Sequence, residues 1–152
     1  AGRFCPPHCP YPGCGYLNPF RWSALSSFHK LGATGRRVVP SPIRPLIHPC
    51  YGLWHAYRGA LLFSHALDVP PPLSANPCES CVDKPCLATC PVGAFGADGY
   101  DVLACVCHIK TPVGNDCLDW GCRARRACPI GRNYLYAPEQ AAFHMAAFRR
   151  NQ

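Results

Sequence analysis

Cysteines carry the chemistry of this chain. Four fall within a short stretch, Cys78-x2-Cys81-x4-Cys86-x3-Cys90, and Pro91 follows the last. An iron–sulfur cube accounts for this spacing. Three thiolates must reach three iron corners of one small object, so they come from a tight loop. Inward-pointing amides of that loop offset the charge of sulfide and thiolate. The fourth cysteine, on the following turn, points away toward a second object. Pro91 fixes the backbone after Cys90 and supplies no donor there. Structural zinc is the competing occupant, but zinc sites combine one close pair of ligands with a distant pair. Four crowded cysteines ending in Cys-Pro do not match that pattern.

A second, looser group follows: Cys105-x-Cys107-His108, then Cys117-x4-Cys122-x5-Cys128-Pro129. Cys128-Pro129-Ile130-Gly131 mirrors Cys90-Pro91-Val92-Gly93, an internal repeat. Cys107 reads as a small buried residue, and His108 as a hydrogen-bonding loop histidine rather than a ligand. Arg123, Arg125 and Arg126 lie between two of these cysteines. They could raise a reduction potential, dock an acidic redox partner, or form a solvated helix face. Cys5-x3-Cys9-x4-Cys14, with His8 and the distant Cys50, matches no site with a physical justification, and these cysteines read as incidental.

The segment from Cys78 to Pro91 resembles the cluster loop of bacterial two-cluster [4Fe–4S] ferredoxins, with a middle gap of four residues where that family usually has two. Val92-Gly-Ala-Phe…Asp98-Gly-Tyr-Asp-Val is similar to the strand–turn–strand that succeeds the loop there. The resemblance covers residues 76–132. The spread of the second group is similar to the cluster domain of epoxyqueuosine reductases, where a cysteine follows a Tyr/Leu-Asp strand and a Cys-x-x-Cys-Pro-like element closes the domain. Here that last gap is five residues.

The resemblance implies two [4Fe–4S] clusters as cofactors, with crossed ligands. Cys128 would complete the first with Cys78, Cys81 and Cys86. Cys90 would complete the second with three of Cys105, Cys107, Cys117 and Cys122, of which Cys105, Cys117 and Cys122 are favoured. The implied fold class is α+β, a small ferredoxin-like two-cluster domain over residues 71–152.

The elements that must position these residues are short. A helix is expected over Cys50–Leu67, where Tyr51, Trp54, His55, Arg58, Leu62 and His65 recur at helical spacing. Its other face is also apolar, so it should pack on the cluster domain through its aromatics. Pro70-Pro71-Pro72 reads as a stiff linker, making 50–70 a helix and linker. Ala94–Phe95 and Tyr100–Leu103 are expected as strands joined by a Gly-Ala-Asp-Gly turn. Residues 105–122 read as a loop with Pro112 and Gly114, and Cys122–Cys128 as a short helix. Residues 138–149 read as a last helix opened by Pro138 and Glu139, with Phe143, His144, Met145 and Phe148 closing the core. Nine prolines in residues 1–49 predict a basic, irregular segment of turns and extended chain, with a short helix near Trp22–Lys30 at most.

Composition narrows the function. The chain has 152 residues, 49% hydrophobic and 15% charged, which argues against a disordered polyelectrolyte. Thirteen cysteines cannot all pair as disulfides within one chain. No apolar run approaches the length of about 18 residues that marks a transmembrane helix. The opening Ala1-Gly-Arg-Phe-Cys-Pro-Pro-His lacks the apolar core of a signal peptide, and the start at Ala1 leaves room for a missing segment. The net charge of +7 lies in residues 1–67, which hold seven basic and no acidic residues. Those charges are scattered, so nucleic acid is a weak expectation as a partner.

No phosphate loop, dinucleotide fingerprint or metalloprotease motif is present, and no small-molecule substrate is evident. Iron held by thiolates requires a reducing compartment, so cytoplasm is expected. The leading expectation is an electron carrier, or an electron-transfer subunit of an oxidoreductase, with a redox protein as partner. The alternatives are an iron–sulfur subunit or fragment of a larger, epoxyqueuosine-reductase-like enzyme, and a metal-stabilised nucleic-acid or protein binding module.

Overall fold

The computed structural model describes residues 38–57, 68 and 76–152. The expected helix near Trp22–Lys30, the Pro70–Pro72 linker and residues 58–67 of the Cys50–Leu67 helix lie outside the described residues. Within them the fold is α+β, with two two-stranded antiparallel sheets and five α-helices.

The end of the proline-rich segment is ordered, where sequence reading expected it to be irregular. Strand β1 (Val39–Pro40) pairs antiparallel with β2 (Leu46–Ile47), placing Val39 opposite Ile47 and Pro40 opposite Leu46. The connecting turn closes through Ser41 N to Pro45 O at 3.1 Å and Arg44 N to Ser41 O at 2.9 Å. Prolines suit this hairpin because it is short and all edge, so few backbone donors are demanded of them. Val38, Ile43, Leu46 and Ile47 are buried.

Residues 50–57 form no helix, which corrects the first part of the Cys50–Leu67 expectation. Instead His48 and Gly52 exchange backbone hydrogen bonds of 2.9 and 2.8 Å. The His48 Nδ1 accepts from the amides of Cys50 (3.0 Å) and Tyr51 (3.2 Å), capturing donors at the very start of the expected helix. Gly52 sits at φ +59°, outside the right-handed helical region. The aromatic packing survives in another form: Trp54 is buried and meets Tyr136 edge to face at 5.2 Å.

Helix α1 (Pro85–Ala88) opens on Pro85 and carries Cys86 inward. Strands β3 (Phe95–Gly96) and β4 (Gly99–Tyr100) make the expected hairpin, with Phe95 opposite Tyr100. The second strand ends at Tyr100, not Leu103. Asp101 is the reason: its side chain accepts from Ala104 N at 2.8 Å and caps helix α2 (Val102–Ile109).

The expected loop over 105–122 is therefore also corrected. It holds the rest of α2, a 3-10 turn at Pro112–Gly114 and helix α3 (Asn115–Asp119). Pro112 starts a turn here rather than ending a helix, as proline does at a first helical position. Helix α4 (Arg123–Arg126) occupies the expected Cys122–Cys128 stretch, and α5 (Pro138–Arg150) the expected last helix. Helix α1 packs on α4, and α3 on α5.

The main core joins the two described parts of the chain. Ile43, Ile47 and Leu53 pack with Cys86, Ala124 and Cys128, and Cys78, Cys90 and Cys122 lie against this cluster. Residues 38–53 thus share one core with the cysteine-rich segment.

Candidate metal centre

The α1–α4 packing brings the two cysteine groups together, and Cys78, Cys86 and Cys128 respond to the thiols beside them. Burial pushes the Cys78 thiol up, and Cys128, Cys86 and Cys81 push it further, with Lys84 opposing. Cys86 is raised by burial, then by Cys128 and Cys81, while the amides of Leu87 and Cys86 itself oppose. Cys128 is raised by burial and by Cys81, against the Ile130 amide. Cys78, Cys81, Cys86 and Cys128 are thus mutual neighbours, here called the first quartet.

Cys105, Cys117 and Cys122 behave alike around Cys90. Cys105 is pushed up to about 11, first by burial; the Tyr100 hydroxyl opposes this, while Cys122, Cys90 and Cys117 add to it. Burial raises Cys117, as do Asp116 and Cys90, against the Arg123 amide and Arg126. Cys122 is raised by burial, Cys117 and Cys90, against the amides of Arg125 and Ala124. The Ala94 amide donates to the Cys90 Sγ at 3.3 Å. One cavity is lined by all of Cys90, Cys105, Cys117 and Cys122, with His108 and Met145 at its wall. These four form the second quartet.

Each quartet takes one cysteine from the other's stretch of sequence: Cys128 in the first, Cys90 in the second. All eight thiols are free. Among the described residues, no group of three or more Cys, His, Asp or Glu side chains is placed to hold a metal ion.

A four-iron cube suits this donor set. It takes four thiolates, spreads them around a body larger than one ion, and benefits from the amides aimed at the sulfurs. A metal group bound there would take the sulfurs as thiolates and displace their protons.

The remaining expected residues fall elsewhere. Cys107 is buried on α2 and stands in a disulfide, so its sulfur is no ligand here. His108 lies on α2 rather than in a loop, and its carbonyl accepts from the Thr111 hydroxyl at 2.8 Å. Cys50 is exposed, 3.9 Å from the Tyr134 hydroxyl, and joins neither quartet. Cys5, Cys9 and Cys14 lie outside the described residues.

The three arginines between Cys122 and Cys128 do more than coat a helix. Arg125 donates through Nε (3.0 Å) and Nη2 to the Leu53 carbonyl. Its guanidinium also lies over the rings of Trp54 (4.5 Å) and Tyr136 (4.7 Å). Arg126 pairs with Asp116 at 2.5 Å and donates to Gly121 O at 3.1 Å. Arg123 reaches Asp116 at 3.5 Å.

Tyr100 is the site residue that sequence reading missed. Its ring stacks on Phe95 at 4.8 Å and near Phe148 at 6.4 Å, which sets its hydroxyl against Cys105. The hairpin turn was the available signal, since it pairs residue 95 with residue 100.

No described helix is long and apolar enough to cross a membrane. Comparison with family models, with curated proteins and with solved structures finds no match.

Proposed function

We propose that this chain is an electron-transfer protein, or the electron-transfer subunit of an oxidoreductase, that holds two [4Fe–4S] clusters in a ferredoxin-like arrangement. Cys78, Cys81, Cys86 and Cys128 hold one cluster, and Cys90, Cys105, Cys117 and Cys122 hold the other. The observation that carries this reading is the crossed division of eight free thiols into two quartets. It matches the ligand pattern that the resemblance to two-cluster ferredoxins implies.

Bound there, each cluster accepts and releases one electron. The chain's own residues do the rest. The amides of Leu87 and Ile130 serve the first quartet, and those of Ala94, Arg123, Ala124 and Arg125 the second. Buried Cys86, Cys128 and Cys117 keep water from the sulfurs. The partner is a redox protein that docks on an exposed edge. A larger reductase using this chain as its iron–sulfur part would need the same two quartets, and the flanking reading frame separates the two cases.

The test is iron and acid-labile sulfide per chain in protein purified without air. About eight of each is expected, with a paramagnetic signal after dithionite reduction. Colourless protein carrying zinc would overturn the proposal.

A further inference from the structure

Most of the sulfurs with an identified donor receive it from the backbone. Leu87 and Ile130 serve Cys86 and Cys128; Ala94, Arg123, and Arg125 with Ala124 serve Cys90, Cys117 and Cys122. Cys105 differs, because its donor is the side-chain hydroxyl of Tyr100. The ring that carries this hydroxyl is held by the packing around it. The β3–β4 register fixes Tyr100 opposite Phe95, and the two rings stack at 4.8 Å with planes 17° apart. Phe148 of α5 lies along the same ring at 6.4 Å. The next residue, Asp101, donates its amide to Ala94 O at 2.8 Å and caps the helix that carries Cys105. Donor and acceptor are thus fixed by one short piece of structure.

We infer that Tyr100 is a positioning residue that sets the reduction potential of the second quartet's cluster, through a hydrogen bond from its hydroxyl to the Cys105 sulfur. This rests on the proposed function. Reduction adds negative charge, part of which falls on the cysteine sulfurs. A donor pointed at sulfur stabilises the reduced form more than the oxidised form, so it raises the potential. A charge-assisted hydrogen bond in a half-buried setting contributes on the order of a tenfold change in that equilibrium.

The experiment is a redox titration of wild-type and Tyr100→Phe protein, prepared without air and followed by electron paramagnetic resonance. Phenylalanine keeps the stacked ring and removes only the hydroxyl. One of the two one-electron waves should move to lower potential. At a fixed poise the reduced-to-oxidised ratio of that cluster should fall about tenfold, equivalent to about 59 mV. Equal iron content with both waves unmoved would overturn the inference and leave the proposed function standing. Wild-type protein without iron would overturn both. If Tyr100→Phe fails to assemble, 3-fluorotyrosine placed at position 100 keeps the ring and sharpens the donor. The same wave should then move upward, and an unmoved wave there overturns the inference.

Discussion

At Cys86 a single sulfur serves both core and candidate ligand set: it is buried against Ile43, Ile47 and Leu53 and is a neighbour of Cys78, Cys81 and Cys128. Serine there keeps the size but replaces a soft thiolate with a poor iron ligand. Cys86→Ser should therefore lower iron per chain by half or more, measured by metal analysis of anaerobic protein. Cys50→Ser should leave it unchanged, since Cys50 is exposed and belongs to neither quartet. At this scale much was legible. Cys78, Cys81, Cys86 and Cys90 stand out by spacing, because a loop must deliver several sulfurs to one object; the looser group from Cys105 to Cys128 was chosen only through the resemblance. Tyr100 was not legible, because its contact with Cys105 depends on a strand register and on a helix starting at Asp101 rather than a strand running to Leu103. Arg125 was misjudged for a similar reason. Its partner, the Leu53 carbonyl, lies 72 residues away in the chain.

Two segments lock together at the scale of elements. Gly52 and Gly131 both have positive φ, +59° and +72°, and they meet backbone to backbone. A Cβ on Gly52 would run into the Ile130 carbonyl, and one on Gly131 into Tyr51. Gly131→Ala adds left-handed strain to that clash and should cost about 1–3 kcal/mol. It should also speed iron loss to a chelator, because Cys128 lies in the same turn. Arg125 holds this junction from the other side. Arg125→Lys keeps the charge but loses the planar fork over Trp54 and Tyr136. It should lower stability by about 2 kcal/mol, read from the denaturation midpoint. The helical spacing at Cys50–Leu67 misled over residues 50–57 because an i, i+3, i+4 pattern reports which side chains seek burial. It does not report that a histidine nitrogen will take the amides that open the helix. Helix α5 was legible because Pro138 and Glu139 suit a first turn.

Over the whole molecule, the docked segment 38–57 and the cysteine-rich part share a core, although composition divides them. The excess of seven positive charges in residues 1–67 suggests a boundary, yet charge describes surface, whereas Ile43, Ile47 and Leu53 decide the packing. His55 gives this docking a pH dependence. Burial, with smaller effects from His48 and Arg125, lowers its pKa against the opposing Gly52 carbonyl. The unfolded chain then binds a proton near pH 6.5 that the folded one still refuses. The contribution of neutral His55 is fully present above 6.5 and is lost as pH falls through the lower folded value. Melting temperature should therefore decline more steeply below pH 6.5 in wild type than in His55→Asn. Crossed membership of the quartets has a further consequence during synthesis. The quartet that begins at Cys78 lacks its last member until Cys128 has left the ribosome, after the one beginning at Cys90 has all its members at Cys122. Of the quartet thiols, a nascent chain therefore exposes Cys78, Cys81 and Cys86 the longest, and on the proposed reading their cluster could be completed only after Cys128 emerges.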